Sequence, residues 1–335
     1  MINIGVIGVG SMGRNHVRNI LELPAHYRMI GCYDESPAQR KDIAEKFHVH
    51  CFDDVTALLT QTDAVVLAVP SSLHKEYGLL AAKYHQHALI EKPIALSEED
   101  GNLLCKAFDA AGKTLMVGHI ERFNPAVVEL KKILENEHSS SIIAIEARRC
   151  SPFDPRIGDT NVIFDLMIHD LDIVLNYLQP DPIASIDAKA LVVQSKANSD
   201  YVQAIVQHKG GTISTISASR VTEDKVRRID VHTKHAYIQA DLLNKTLQVT
   251  RKTSFSLDVG YKPIYKQESI VEKIMLPNVE PLKAELMEFA ASIQDGRAPL
   301  TDGKSATKAV NYAQTIHDLT AHCPRLGAKE GASDE

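Results

Sequence analysis

Gly8, Gly10 and Gly13 stand between an apolar run, Ile2–Ile7, and a helix-patterned stretch over residues 11–22. A tight glycine turn from a buried strand into a helix admits few folds. In the run Gly8-Val9-Gly10-Ser11-Met12-Gly13, the first glycine permits the turn. The second lets backbone N–H groups approach a pyrophosphate at the positive helix N-terminus. The third lets the helix pack close to the strand. The alternation continues downstream. Strands are predicted at 29–33, 64–69, 87–90 and 115–118, with helices over 37–47, 73–84 and 97–111. Strands alternating with helices predict a doubly wound parallel sheet over residues 1–121.

The pattern changes after that point. A helix near 125–136, an alternating strand over 142–149 and a helix over 163–178 lead into a strand-rich stretch from 183 to 276. Gly210-Gly211 reads as a hairpin turn. Helices follow at 281–295, with Pro281 at the first helical position, and at 303–321. The expected second domain covers 122–325 and is α+β, with a mostly antiparallel open sheet. The small, polar and acidic stretch 326–335 reads as a disordered tail.

The chain has 335 residues, 44% hydrophobic and 24% charged, which suits two folded domains. A net charge of −6 without a basic run argues against nucleic acid. Five scattered cysteines with no Cys-x-x-Cys suggest a reducing compartment, hence the cytoplasm. Met1 leads straight into a strand, so neither a leader nor a membrane segment is expected. No closed set of metal ligands is evident, and none of the 15 histidines belongs to a His-Glu-x-x-His motif.

Asp34 ends the second strand, 21 residues beyond Gly13, where a carboxylate accepts ribose hydroxyls and repels a 2′-phosphate. That favours NAD over NADP, with Arg40 a further candidate at the adenosine end. Glu91-Lys92-Pro93 follows the apolar run 88–90, which places Lys92 at the ligand-binding edge of the sheet on stiff backbone. Asp165 and His169 are four apart and share a helix face. The carboxylate can orient the imidazole. Hydride removal from an alcohol carbon needs a base, which His169 or Lys92 could supply, and a lysine ammonium can also stabilise an alkoxide.

The glycine turn, Ala68-Val69-Pro70-Ser71-Ser72-Leu73-His74, Glu91-Lys92-Pro93 and Asp165-x-x-x-His169 occur in the order found in the glucose–fructose oxidoreductase/inositol dehydrogenase (Gfo/Idh/MocA) family, which the chain resembles over nearly its whole length. The resemblance implies a nicotinamide cofactor and a Rossmann domain. It also implies an open sheet that mediates homodimers or homotetramers. Lys92 is then the catalytic lysine, His169 the acid/base and Asp165 its orienting partner. Pro70, Ser71, His74 and Glu91 line the cofactor pocket. Many members have Asn where Ser71 stands. The stretches 117–125 and 146–156, with Glu280-Pro281-Leu282-Lys283, resemble members that oxidise the 3-hydroxyl of UDP-N-acetylglucosamine or related nucleotide sugars. Arg149 and Arg156, with Arg122 and Asn124, are the candidate contacts for such a substrate, since guanidinium forks suit pyrophosphate. Arg148 and Arg149 point to opposite faces of a strand. Two other readings stand beside this one: an inositol or free-sugar dehydrogenase, and a non-catalytic NAD-sensing regulator.

Overall fold

The computed structural model describes residues 1–136, 142–154, 161–195, 198–259 and 262–326, without the side chains of residues 253–268. Residue Arg156 and nearly all of the expected tail lie outside the described residues. Two compact units form: residues 1–123 with 279–311, and residues 124–278 with 312–335.

The first unit carries five parallel strands, β1 (Ile2–Ile7), β2 (Tyr27–Tyr33), β3 (Ala64–Leu67), β4 (His87–Glu91) and β5 (Leu115–Gly118). Their order is β2-β1-β3-β4-β5. The order reverses between β1 and β3, and the crevice beyond the carboxyl ends of those strands is where such sheets take ligands. Strands β3 and β5 are buried along their whole length, as expected of strands covered on both faces. The helices are α1 (Ser11–Leu21), α2 (Pro37–Phe47), α3 (Val55–Leu59), α4 (His74–Lys83) and α5 (Glu98–Ala111). Ser36 caps α2 by accepting from the Gln39 N–H, and Ser97 does the same for Asp100 of α5.

The second unit opens with α6 (Pro125–Asn136) and β6 (Ile142–Cys150). The expected helix over 163–178 is present, but only α7 (Ile168–Leu171) is α-helical. It is flanked by π-helical turns over Ile163–Met167 and Asp172–Leu178. Strands β7 (Ile183–Leu191), β8 (Tyr201–His208), β9 (Ile213–Ser219), β10 (Val226–Thr233), β11 (Ala236–Asp241), β12 (Thr246–Val259) and β13 (Lys262–Ile274) complete the sheet. Its order is β13-β12-β11-β10-β6-β9-β8-β7, antiparallel throughout except for the β6–β9 pair. The β8–β9 hairpin turns at Gly211, whose φ of +96° suits glycine. No helix among the described residues is long and apolar enough to cross a membrane.

One boundary differs from the sequence expectation. Helix α8 (Pro281–Asp295) and the first half of α9 (Gly303–Leu319) belong to the first unit, so the second domain is not the continuous stretch 122–325. The cause is the apolar stripe of α8. Leu286, Phe289 and Ala290 share a core with Ile2, Ile4, Val17 and Ile20. The Tyr27 hydroxyl donates to the Leu286 carbonyl at 2.5 Å, and Arg18 pairs with Glu280 at 2.6 Å. Periodicity shows that a helix has an apolar face, but not which core receives it.

Candidate active site

A cavity of about 590 Å³ opens in the first unit at the carboxyl ends of β1 to β4. Gly8 holds φ +86°, and a Cβ there would meet the Ala68 backbone at 2.7 Å. A Cβ on Gly13 would lie 1.9 Å from the Gly8 carbonyl oxygen, so α1 reaches the turn only because Gly13 lacks a side chain. At Gly10 the position of a Cβ is open space. That is the cradle a pyrophosphate requires beside backbone N–H groups. Asp34 lines the cavity, with Oδ2 accepting from the Val9 N–H at 2.8 Å and Oδ1 from the Ser36 N–H at 2.9 Å. It thereby ties the end of β2 to the glycine turn. Met12, Pro70, Ser71, His74, Glu91 and Lys92 also face the cavity. Ser11 and Arg40 do not line it. Arg40 instead holds the Asp34 carbonyl at 2.6 Å and pairs with Asp53 at 3.0 Å.

Lys92 is positioned from behind. Its peptide bond to Pro93 is cis. His74, 1% exposed, places Nδ1 2.7 Å from the Pro93 carbonyl and Nε2 3.0 Å from the Val69 carbonyl, so it braces the lysine turn against the end of β3. Burial pushes the His74 imidazole below its ordinary value, against the opposing pull of those two carbonyls. The neighbouring Glu91 lies 2.7 Å from Nε2 of the fully buried His16. Burial pushes the Glu91 carboxyl up. The His16 hydrogen bond and the His16 and Lys92 charges outweigh it and hold the carboxyl below its ordinary value. Glu285 of α8 is fully buried, and neither of its carboxyl oxygens has a hydrogen-bond partner. Burial, with the nearby Glu91 charge, pushes it well above the usual carboxylate range.

In the second unit, Asp165 sits in the first π-helical turn and His169 in α7, both half-buried. π-helical turns often mark functional sites. Asp165 lines a cavity of about 400 Å³ together with Arg149, Arg220, Lys225 and Arg227. Three of the four candidate substrate contacts are committed to the structure. Arg149, 1% exposed, forms a bidentate pair with Asp170 at 2.9 Å and 2.9 Å. Arg122 of the first unit donates to the Leu300 carbonyl at 2.8 Å and the Ser305 hydroxyl at 2.6 Å. Asn124 donates to the Leu242 carbonyl at 3.0 Å and accepts from the Ala126 N–H at 3.1 Å, capping α6. The fourth, Arg156, lies outside the described residues.

Several residues escaped the sequence reading. His16 lies one turn beyond Gly13, on the side of α1 that meets the sheet. Glu285 interrupts the stripe Leu282, Leu286, Phe289, and a carboxyl at such a spacing is itself a signal. Lys225 and Arg227 reach the second cavity because Arg227 lies opposite Arg149 in the β6–β10 register, a pairing no local pattern reveals.

The glycine turn at the carboxyl ends of the parallel strands, with Asp34 lining the same cavity, is the geometry of a dinucleotide-binding Rossmann unit. Residues 2–119 match the model of the oxidoreductase family with an NAD-binding Rossmann fold, and residues 127–239 match the GFO/IDH/MocA C-terminal domain. The chain is 30% identical to UDP-N-acetylglucosamine 3-dehydrogenase from Acidithiobacillus ferrooxidans over 93% of its own length and 95% of the relative's. A solved structure of that enzyme superimposes with a TM-score of 0.85, covering 96% of this chain and 97% of the other. Inositol 2-dehydrogenase from Paracoccus denitrificans is 30% identical over 55% of this chain and 56% of that one. The chain belongs to the Gfo/Idh/MocA family of NAD-binding oxidoreductases.

Proposed function

We propose that the protein oxidises a sugar hydroxyl to a ketone, and that its substrate is the 3-hydroxyl of UDP-N-acetylglucosamine or of a related nucleotide sugar. The observation that carries this reading is Lys92, held at the cofactor cavity by braces on both sides, in a chain so similar over its whole length to a nucleotide-sugar dehydrogenase. NAD, held by the glycine turn and Asp34, supplies a hydride acceptor. The Lys92 ammonium stabilises the alkoxide, and His74 fixes the turn that carries it. His169 takes the hydroxyl proton and Asp165 orients its ring. For the diphosphate, Lys225 and Arg227 replace Arg149 as the contacts. Assembly into a homodimer or homotetramer rests on the open sheet, where Ile205 and Ile213 are 48% and 42% exposed.

The test is turnover of NAD⁺ with UDP-N-acetylglucosamine, read as growth of the near-ultraviolet band of reduced nicotinamide. Turnover of inositol or free hexoses alone would replace this reading by the second one, which the inositol dehydrogenase relatives support. Under the nucleotide-sugar reading, Lys225→Ala and Arg227→Ala raise KM about tenfold and leave kcat nearly unchanged. Free-sugar turnover would not respond.

A further inference from the structure

Cys32 and Cys51 lie 19 residues apart in sequence, yet their Sγ atoms stand 3.0 Å apart. They are partners in a parallel bridge at the edge of the first sheet. Cys32 N–H donates to the His50 carbonyl at 2.9 Å, and the Phe52 N–H donates to the Cys32 carbonyl at 2.9 Å. Bridge partners on neighbouring strands have Cα atoms roughly 5 Å apart, inside the span a disulfide needs. The sulfurs need to close by only about 1 Å. Cys32 is fully buried, whereas Cys51 is only partly buried and is the nearer of the two to solvent.

We propose that Cys32 and Cys51 form a reversible oxidative modification site that acts on the cofactor cavity. Hydrogen peroxide oxidises the Cys51 thiol to a sulfenic acid, its O–O bond breaking as the second oxygen leaves as water. The Cys32 sulfur then attacks the Cys51 sulfur. The S–S bond forms as the sulfenic hydroxyl departs with the Cys32 proton as a second water. Two thiols and one peroxide give one disulfide and two waters, and a dithiol reductant reverses the change. Burial and the Cys51 contact push the Cys32 thiol up.

The route to the cavity runs through a chain of hydrogen bonds. The Cys51 thiol donates to the Arg40 carbonyl at 3.2 Å. The Arg40 guanidinium holds the Asp34 carbonyl at 2.6 Å, and the Asp34 carboxylate holds the Val9 N–H of the glycine turn. Cys32 is also two residues before Asp34, which follows the last residue of β2. A disulfide removes the Cys51 thiol donor and draws the segment carrying it toward β2, so the support of Asp34 changes. The inference rests on the assignment of NAD to this cavity.

The experiment compares reduced protein, peroxide-treated protein and treated Cys51→Ser. It reads differential alkylation by peptide mass and NADH affinity by calorimetry. Treated protein should show a peptide cross-link between Cys32 and Cys51. Its NADH Kd should rise about fivefold, the worth of one lost hydrogen bond, and return on reduction. The treated variant should show no change in Kd. Two thiols that still alkylate after peroxide would overturn the proposal, as would a cross-link with Kd within twofold of the reduced value. So would an equal response of the variant. Failure of the reduced protein to bind NADH would overturn the cofactor assignment instead, and the alkylation readout would still test the thiol pair by itself.

Discussion

Arg149→Ala separates a structural guanidinium from a substrate contact. Arg149 and Asp170 are 1% and 2% exposed, and two N–H···O contacts of 2.9 Å join them. Removing one member leaves the other charge buried without its partner, at a cost of about 3–5 kcal/mol. With a urea dependence of about 2 kcal/mol per molar, a loss of about 4 kcal/mol lowers the unfolding midpoint of the second unit by about 2 M. The exposed neighbour Arg148, on the opposite face of β6, provides the control. Arg148→Ala should change stability by less than about 0.5 kcal/mol. Replacing both partners, as Arg149→Met with Asp170→Leu, should recover most of the loss, since apolar substitutes of similar volume are often tolerated at buried pairs. The assay is far-ultraviolet circular dichroism against urea, with steady-state kinetics on the same samples. A midpoint shift below about 0.5 M, with a KM raised more than tenfold, would return Arg149 to the substrate and refute the reasoning.

Glu285→Gln should stabilise the protein increasingly as pH rises. The folded carboxyl titrates well above its ordinary 4.5, so its contribution is fully present below that value and is lost as pH climbs. Thermal midpoints of variant and parent should diverge between pH 5 and pH 8, and a constant difference would show that Glu285 carries no raised titration. Asp34→Ala should relax the preference for NAD over NADP by about tenfold in kcat/KM, and equal use of both by the unmutated protein would sink the ribose assignment. Lys92→Ala should lower kcat about 10²–10³-fold while NADH affinity changes little. A variant that lost affinity and kept kcat would move Lys92 from the reacting hydroxyl to the cofactor.

Local pattern carried much of this protein. Alternating apolar runs and helix-spaced stretches specify the parallel sheet, because strand and helix periods are properties of a few consecutive residues. Gly8, Gly10 and Gly13 announce the cofactor turn for the same reason, since their spacing is read within six consecutive residues. Asp34 and Lys92 are legible because strand ends in such sheets have a fixed relation to the ligand crevice. The long helix over 163–178 was legible as a helix, but its π-helical turns were not. They depend on packing around the segment rather than on its own period.

Tertiary structure decided the partners. Arg149 reads as a phosphate contact in the sequence, yet the fold commits its guanidinium to Asp170, while Lys225 and Arg227 line the same cavity. Helix α8 looked like part of the second domain, yet its stripe completes the first core and carries Glu285 into it, within reach of the Glu91 charge. Cys32 and Cys51 read as scattered thiols until strand register set them 3.0 Å apart. A residue's own propensity is encoded in its neighbours along the chain. What its charge or thiol meets is set by register and packing between segments far apart in sequence.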